Sequence, residues 1–295
     1  MAGMAREFTI EPRGAFSLAA AARFIDGWPP AAKVTEVRDE AVRLCFALDS
    51  FLGHAGVLLT QEDGSVHVEA CGAGDEEELR RQVGRILSLD HDAAGLEEVL
   101  DHDPVAAALH REAGSLRPVL FHSPYEAAIW AVLSARTHPS HAQALREELS
   151  RRHGRVLEVA GVETAAAPLP QQLAELDSLP ALSDEKARRL RGVAGAALEG
   201  ALDPSSLREA EPAEALERLQ RIRGIGPFYA GLILVRSAGV TDVLPPGGEP
   251  RLRKAVGEAY GLGGPASEDE LVRIAEGWRP YRTWVALLMR AAASG

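Results

Sequence analysis

The sequence predicts an α+β protein in two parts: a mixed α/β region with an antiparallel sheet over residues 1–117, then an all-helical region over residues 118–295. Three observations lead there. Runs such as EFTIEP and EAVRLCFAL in the first part alternate polar and apolar residues, the period of half-buried strands. From about Ser123 the texture changes to helix after helix. The chain has 295 residues, 46% hydrophobic and 25% charged, the make-up of a soluble globular protein with room for two domains.

In chain order, FTIEP opens the first strand, and HAGVLLTQEDGSVHVEAC reads as a hairpin around the turn EDGS. Two helices interrupt the strands. One is SLAAAARFIDGW; the other, DEEELRRQVGRILSL, opens on Asp75 with acids in its first turn, where the helix dipole favours them. One sheet with helices on one face is the expected result. Beyond GSLRPVLFHSP, residues 114–124, SPYEAAIWAVLSA starts on a Ser-x-x-Glu capping box, Ser123 with Glu126, and Pro124 in the first turn. PSHAQALREELSRRHG stops at Gly154, SDEKARRLRGVAGAALEG is capped by Ser183, and EPAEALERLQRI follows. Pro280 splits the closing segment SEDELVRIAEGWRPYRTWVALLMRAAA into two helices.

Composition removes several classes of function. Two cysteines, Cys45 and Cys71, stand in no metal-ligand spacing; they exclude a four-cysteine iron–sulfur cluster and a disulfide scaffold and fit a reducing cytosol. No run of about 18 apolar residues occurs and MAGMAREFTIEP lacks an apolar signal core, so a cytoplasmic protein without a membrane partner is expected. The net charge of −11 argues against nucleic acid until its placement is read. The first 115 residues hold 10 basic and 21 acidic side chains, and the rest hold 22 of each, so the second part can present a basic face. Only three of the basic residues are lysines, Lys33, Lys186 and Lys254.

LQRIRGIGPFYAGLILV sets Gly224 and Gly226 between two apolar-periodic helices. Amides at such a turn and at the start of the next helix suit a phosphate, and carbonyls on the preceding side suit a monovalent cation. An ordinary αα-hairpin turn explains Gly-x-Gly alone more economically. The loop PPGGEP then holds a lone acid, Glu249, ahead of the basic run RLRK. Taken together, LxxIxGIGPxxAxxIL, TDVLP, an acid and LRKAV resemble the helix-hairpin-helix (HhH-GPD) superfamily of DNA glycosylases, with the hairpin at 219–235. The likeness extends over nearly the whole chain. SPYEAAIWAVLSARTHPSHAQAL resembles the first helix pair of the glycosylase domain and AEGWRPYRTWVALL its closing helices. FTIEPRGAFSLAAAARF and GAGDEEELRRQVGRILSLDHD resemble the N-terminal domain of the 3-methyladenine DNA glycosylase II type.

The resemblance implies a monomeric base-excision-repair enzyme that binds double-stranded DNA, flips a damaged base and hydrolyses its N-glycosidic bond. That chemistry asks for an acid to stabilise an oxocarbenium-like sugar and orient water. Glu249 falls at the catalytic position, where the family normally has Asp. Phe228, Leu232 and Arg290 fall at pocket positions that are usually aromatic. Bifunctional relatives carry a lysine at the place of Phe228, so a Schiff-base lyase route is not expected. The implied DNA contacts are Gly224 and Gly226, with Arg136, Arg251, Arg253 and Lys254 either DNA-facing or ordinary surface charges. Carbonyls of Gln220, Ile222 and Ile225 are the implied ligands of a Na+ or K+. The altered acid and thinned pocket keep two alternatives open: a lesion-binding protein that has lost catalysis, and a glycosylase for a different base.

Other polar and aromatic residues read as ordinary structure. Asp242 is expected to hydrogen-bond local backbone, and His138 and His141 to lie in a solvated loop. Trp278, Tyr281 and Trp284, at helical spacing, are expected in the core.

Overall fold

The hairpin around EDGS is the centre of the sheet. Strands β4 (His54–Glu62) and β5 (Ser65–Gly72) pair antiparallel with Glu62 opposite Ser65. Asp63 and Gly64 join them, both at positive φ (50° and 85°), the mirror-image turn that matches strand twist. The computed structural model describes residues 6–31, 35–38, 41–176, 179, 181–244 and 249–292. Strand β1 (Arg6–Ile10) lies beyond β5, and β3 (Ala41–Ala47) and β2 (Thr35–Arg38) lie beyond β4, in the order β1-β5-β4-β3-β2. Alternate residues, among them Val42, Leu44, Phe46, Val57, Leu59 and Val68, share one core with helices α1 (Leu18–Asp26) and α2 (Glu76–Ile86). Asp75 caps α2 by accepting from the Glu78 N–H, as its sequence predicts.

Three expectations need correction. The region from 118 onward is not all-helical: β6 (Arg155–Val159) and β7 (Val162–Ala166) form a second hairpin, turned at Ala160 and Gly161. It packs on the first sheet, where the Cys45 and Cys71 sulfurs approach the carbonyls of Arg155 (4.0 Å) and Glu158 (3.7 Å). Strands of five residues show too little alternation to declare themselves, and this pair is held by the sheet beneath it. Secondly, the first part holds two further helices, α3 (Ala94–His102) and α4 (Pro104–Glu112), the latter capped by Asp103. Thirdly, the Ser123–Glu126 capping box is half formed. Ser123 Oγ accepts from the Glu126 N–H, but the carboxylate turns inward to Arg146, 2.6 Å away.

Helix α5 (Pro124–Ser134) is buried on nearly every side, as a helix apolar all round must be. Around it pack α6 (Pro139–His153), α7 (Pro170–Glu175), α8 (Asp184–Leu198), α9 (Pro204–Glu209), α10 (Pro212–Gln220) and α11 (Pro227–Ser237). A third core joins α3 and α4 to α12 (Pro250–Ala259), α13 (Glu268–Glu276) and α14 (Arg282–Ala292). There Leu96, Val99 and Leu100 share one core with Leu252, Val256 and Trp284. Trp278 and Trp284 are buried as expected, the Trp278 indole donating to Asp103.

Candidate active site

Between α10 and α11 the two glycines have different tasks. Gly224 sits at φ +94°, a left-handed conformation that strains any L side chain. Gly226 lies in the extended region at the start of α11, and a Cβ built on it meets nothing within 4 Å. Nothing among the described residues requires glycine there; what it leaves clear is the surface in front of the helix. Among the described residues no side chain caps α11, and Pro227 occupies its first turn, so the opening of this helix stays available to an external anion. The Ile222 carbonyl accepts the Ile225 N–H, whereas those of Gln220 and Ile225 accept none among the described residues. Two of the three implied cation ligands are therefore unspent, and the residues present fit a monovalent ion.

Helix α11 continues into a cleft. Phe228, Leu232 and Arg236, at i, i+4 and i+8, present one face to it. Helix α14 supplies Thr283, Ala286, Leu287 and Arg290 opposite, and Glu249 enters from the start of α12. The space between these side chains, solvent at the open mouth included, is about 580 Å³. Thus Glu249, Phe228, Leu232 and Arg290, four residues that the sequence singles out, line one cleft.

Glu249 occupies the N-cap position of α12 but makes no side-chain cap. Its carboxylate pairs instead with Arg290, Nη1 to Oε2 at 2.6 Å, with side chains 12% and 33% exposed respectively. The loop glycines and prolines at 245–248, to which the sequence assigns the turn before Glu249, lie outside the described residues. Thr283 fixes the neighbouring strand of chain, its hydroxyl accepting from the Val243 N–H and donating to the Val243 carbonyl. Asp242 is structural, though not through its local backbone: it binds Arg282 (2.7 Å) and Arg279 (2.8 Å).

The DNA-facing candidates divide. Phe228 is 58% exposed at the cleft mouth and packs edge-on to Tyr229. Tyr229 in turn bonds Ser134 (3.2 Å), which brings the end of α5 beside the start of α11. Arg136, two residues on, is exposed in a left-handed turn, and Lys186 braces the same loop through the Leu133 carbonyl and Thr137. Arg251 and Lys254 are exposed, Lys254 near Glu258 at 3.6 Å. Arg253 is tied down, its Nε donating to the Ala266 carbonyl. His138 and His141 are exposed, as expected of a solvated loop.

Arg236 is the charged lining residue that sequence reasoning missed. It is 7% exposed, and its guanidinium lies 4.2 Å from the Trp28 ring centroid and 5.4 Å from that of Phe24. Burial pulls its pKa down to about 9, and the charge of Arg290 acts in the same direction. The signal was present: an arginine at i+8 from Phe228 on the same helical face.

No protein-family model matches the chain. Curated relatives and solved structures do. YfjP of Bacillus subtilis, provisionally named a DNA-3-methyladenine glycosylase, is 24% identical over 86% of this chain and 85% of its own. The 3-methyladenine DNA-glycosylase from Archaeoglobus fulgidus superposes with a TM-score of 0.78 at 22% identity, covering 97% of this chain and 98% of that one. The Clostridium acetobutylicum 8-oxoguanine glycosylase/lyase, in complex with double-stranded DNA, gives 0.65 at 16% identity over 91% and 88%. The fold is that of the helix-hairpin-helix DNA glycosylases, as the sequence resemblance implied. Within that group, the likeness to the Archaeoglobus 3-methyladenine enzyme runs essentially end to end.

Proposed function

We propose that this protein is a DNA N-glycosylase that binds damaged duplex, takes one base into the cleft between α11 and α14, and releases it by hydrolysis. The observation that carries this reading is the meeting of Glu249 with Phe228, Leu232 and Arg290 at one cleft, beside a glycine turn whose helix start is open. The glycine turn holds a strand phosphate on α11 amides, with a monovalent cation at the neighbouring carbonyls. Flipping then brings the nucleotide to Glu249, whose negative charge faces the sugar as the base departs with its bonding electrons. Water adds to the sugar carbon and its proton passes to the departing base, or to solvent where the base leaves neutral, giving an abasic site and a free base. Among the described residues no lysine lines the cleft, so hydrolysis without strand cleavage is the expected outcome. Purified protein incubated with duplexes carrying alkylated or oxidised bases should yield free base, read by mass spectrometry, and an intact abasic strand. Release from none of them would refute the proposal.

The pairing of Glu249 with Arg290 at 2.6 Å favours one second reading, a lesion sensor whose acid is already neutralised. It requires tight binding to an abasic-site duplex together with no base release.

Gly226→Leu separates the DNA contact from the fold. Its backbone and surroundings accept a side chain, so the melting temperature should stay within a degree or two. Affinity for an abasic-site duplex should fall by about ten- to a hundredfold, the worth of one or two charge-assisted hydrogen bonds, and equally for all sequences. Unchanged affinity, measured by fluorescence anisotropy, would remove the turn from the interface.

A further inference from the structure

We infer that Arg236 makes the cleft selective for neutral damaged bases that present a carbonyl acceptor, against bases that carry a positive charge. This rests on the glycosylase reading above and narrows it to a substrate class.

Three charged side chains line the cleft among the described residues: Glu249, Arg290 and Arg236. Glu249 and Arg290 neutralise each other at 2.6 Å. Arg236 has no acidic partner among the described residues. Among those residues its side chain makes one hydrogen bond, from Nη2 to the Val119 carbonyl (2.9 Å), and its buried Nε has no partner. The side-chain charge that bears on it is that of Arg290, of like sign. With Leu287 it lines both this cleft and a smaller cavity beside Arg117 and Trp284. The wall therefore carries a net positive charge, and the guanidinium keeps a donor without a partner just behind it.

Both features point the same way. A cationic base entering about 6 Å from an unmatched guanidinium, at an effective dielectric constant of about 20, would be disfavoured roughly a hundredfold. Recognition of a cation by stacking needs electron-rich ring faces. Among the lining residues only Phe228 offers a ring, at the exposed mouth, while the Trp28 face is already covered by Arg236 itself. A base with a ring carbonyl instead accepts from the guanidinium, and sites with a buried donor discriminate strongly against ligands unable to use it.

The test uses the full chain and duplexes with one lesion each. Uracil, hypoxanthine and 8-oxoguanine serve as neutral carbonyl-bearing probes, and 7-methylguanine and 3-methyladenine as cationic ones. Single-turnover release is divided by the spontaneous rate of each lesion. At least one neutral probe should exceed both cationic probes by about tenfold or more. Arg236→Met should erase that preference; Arg236→Lys, which keeps the charge but not the planar fork, should keep the discrimination against cations and lose rate on the carbonyl bases. Equal or faster enhancement on the cationic probes overturns the inference, as does a folded Arg236→Met protein that keeps the wild-type preference. If that variant does not fold, the wild-type comparison still decides. Release of no probe by the wild type is a different failure, since it refutes the glycosylase reading on which the inference stands.

Discussion

Replacing Glu249 with Gln should lower base release by about two to three orders of magnitude, while affinity for an abasic-site duplex changes only a few-fold. The substitution keeps the shape of the side chain and removes the charge that meets the oxocarbenium-like sugar. It also takes away the carboxylate that balances Arg290 at 2.6 Å, so the cleft becomes more positive as positive charge develops on the substrate. Both effects fall on the transition state, so the single-turnover rate carries the loss. Asp242→Asn is the comparison. Asp242 grips Arg282 and Arg279 away from the cleft lining, so its loss should lower stability and leave release per folded molecule near wild type. Wild-type release by the Glu249→Gln variant on a lesion that the enzyme excises would take Glu249 out of the chemistry.

Glu126→Gln should be the most destabilising conservative change in the helical region, costing about 3–5 kcal/mol in a urea titration. Glu126 and Arg146 are 1% and 3% exposed and 2.6 Å apart. The amide would leave the arginine as an uncompensated buried charge. Burial alone would raise the pKa of Glu126, but His122 and Arg146 more than offset it and hold the group at about 2, against an ordinary 4.5. A carboxyl whose pKa is depressed on folding stabilises fully above its unfolded value and loses that contribution as pH falls toward the folded one. Wild-type stability should therefore drop as pH falls from 4.5 to about 2, and the Glu126→Gln variant should show a shallower slope over that window. Parallel slopes would mean that this pair does not govern acid unfolding.

What the sequence disclosed and what it withheld follow from the range of the interactions. The β4–β5 hairpin was legible because alternation and a two-residue Asp-Gly turn are local. So were the caps at Asp75, Ser123 and Ser183, each an oxygen within three residues of the N–H it accepts. The β6–β7 hairpin was not, since its support comes from strands about a hundred residues earlier in the chain. At the cleft, the resemblance, with the lone acid of the loop before α12, was enough to choose Phe228, Leu232, Glu249 and Arg290. They could not disclose that Glu249 and Arg290, distant in sequence, would pair. Arg236 was passed over because an arginine inside LILVRSAGV reads as an interruption of an apolar face, and only Trp28 and Phe24, from the first part of the chain, reveal what holds it.

The alliance of α3 and α4 with the last three helices sets an order of events during synthesis. The sheet and its two helices are complete in the nascent chain once residue 119 has been made, and their core can close early. Leu96, Val99 and Leu100 have no such prospect, because the core they share is completed by Leu252, Val256, Trp284 and Met289. At about 5–20 residues per second, the ribosome needs roughly 10–40 s to travel from α4 to the end of α14. Throughout that interval the emerging chain displays an apolar helical face beside an already folded sheet, a ready client for a holding chaperone.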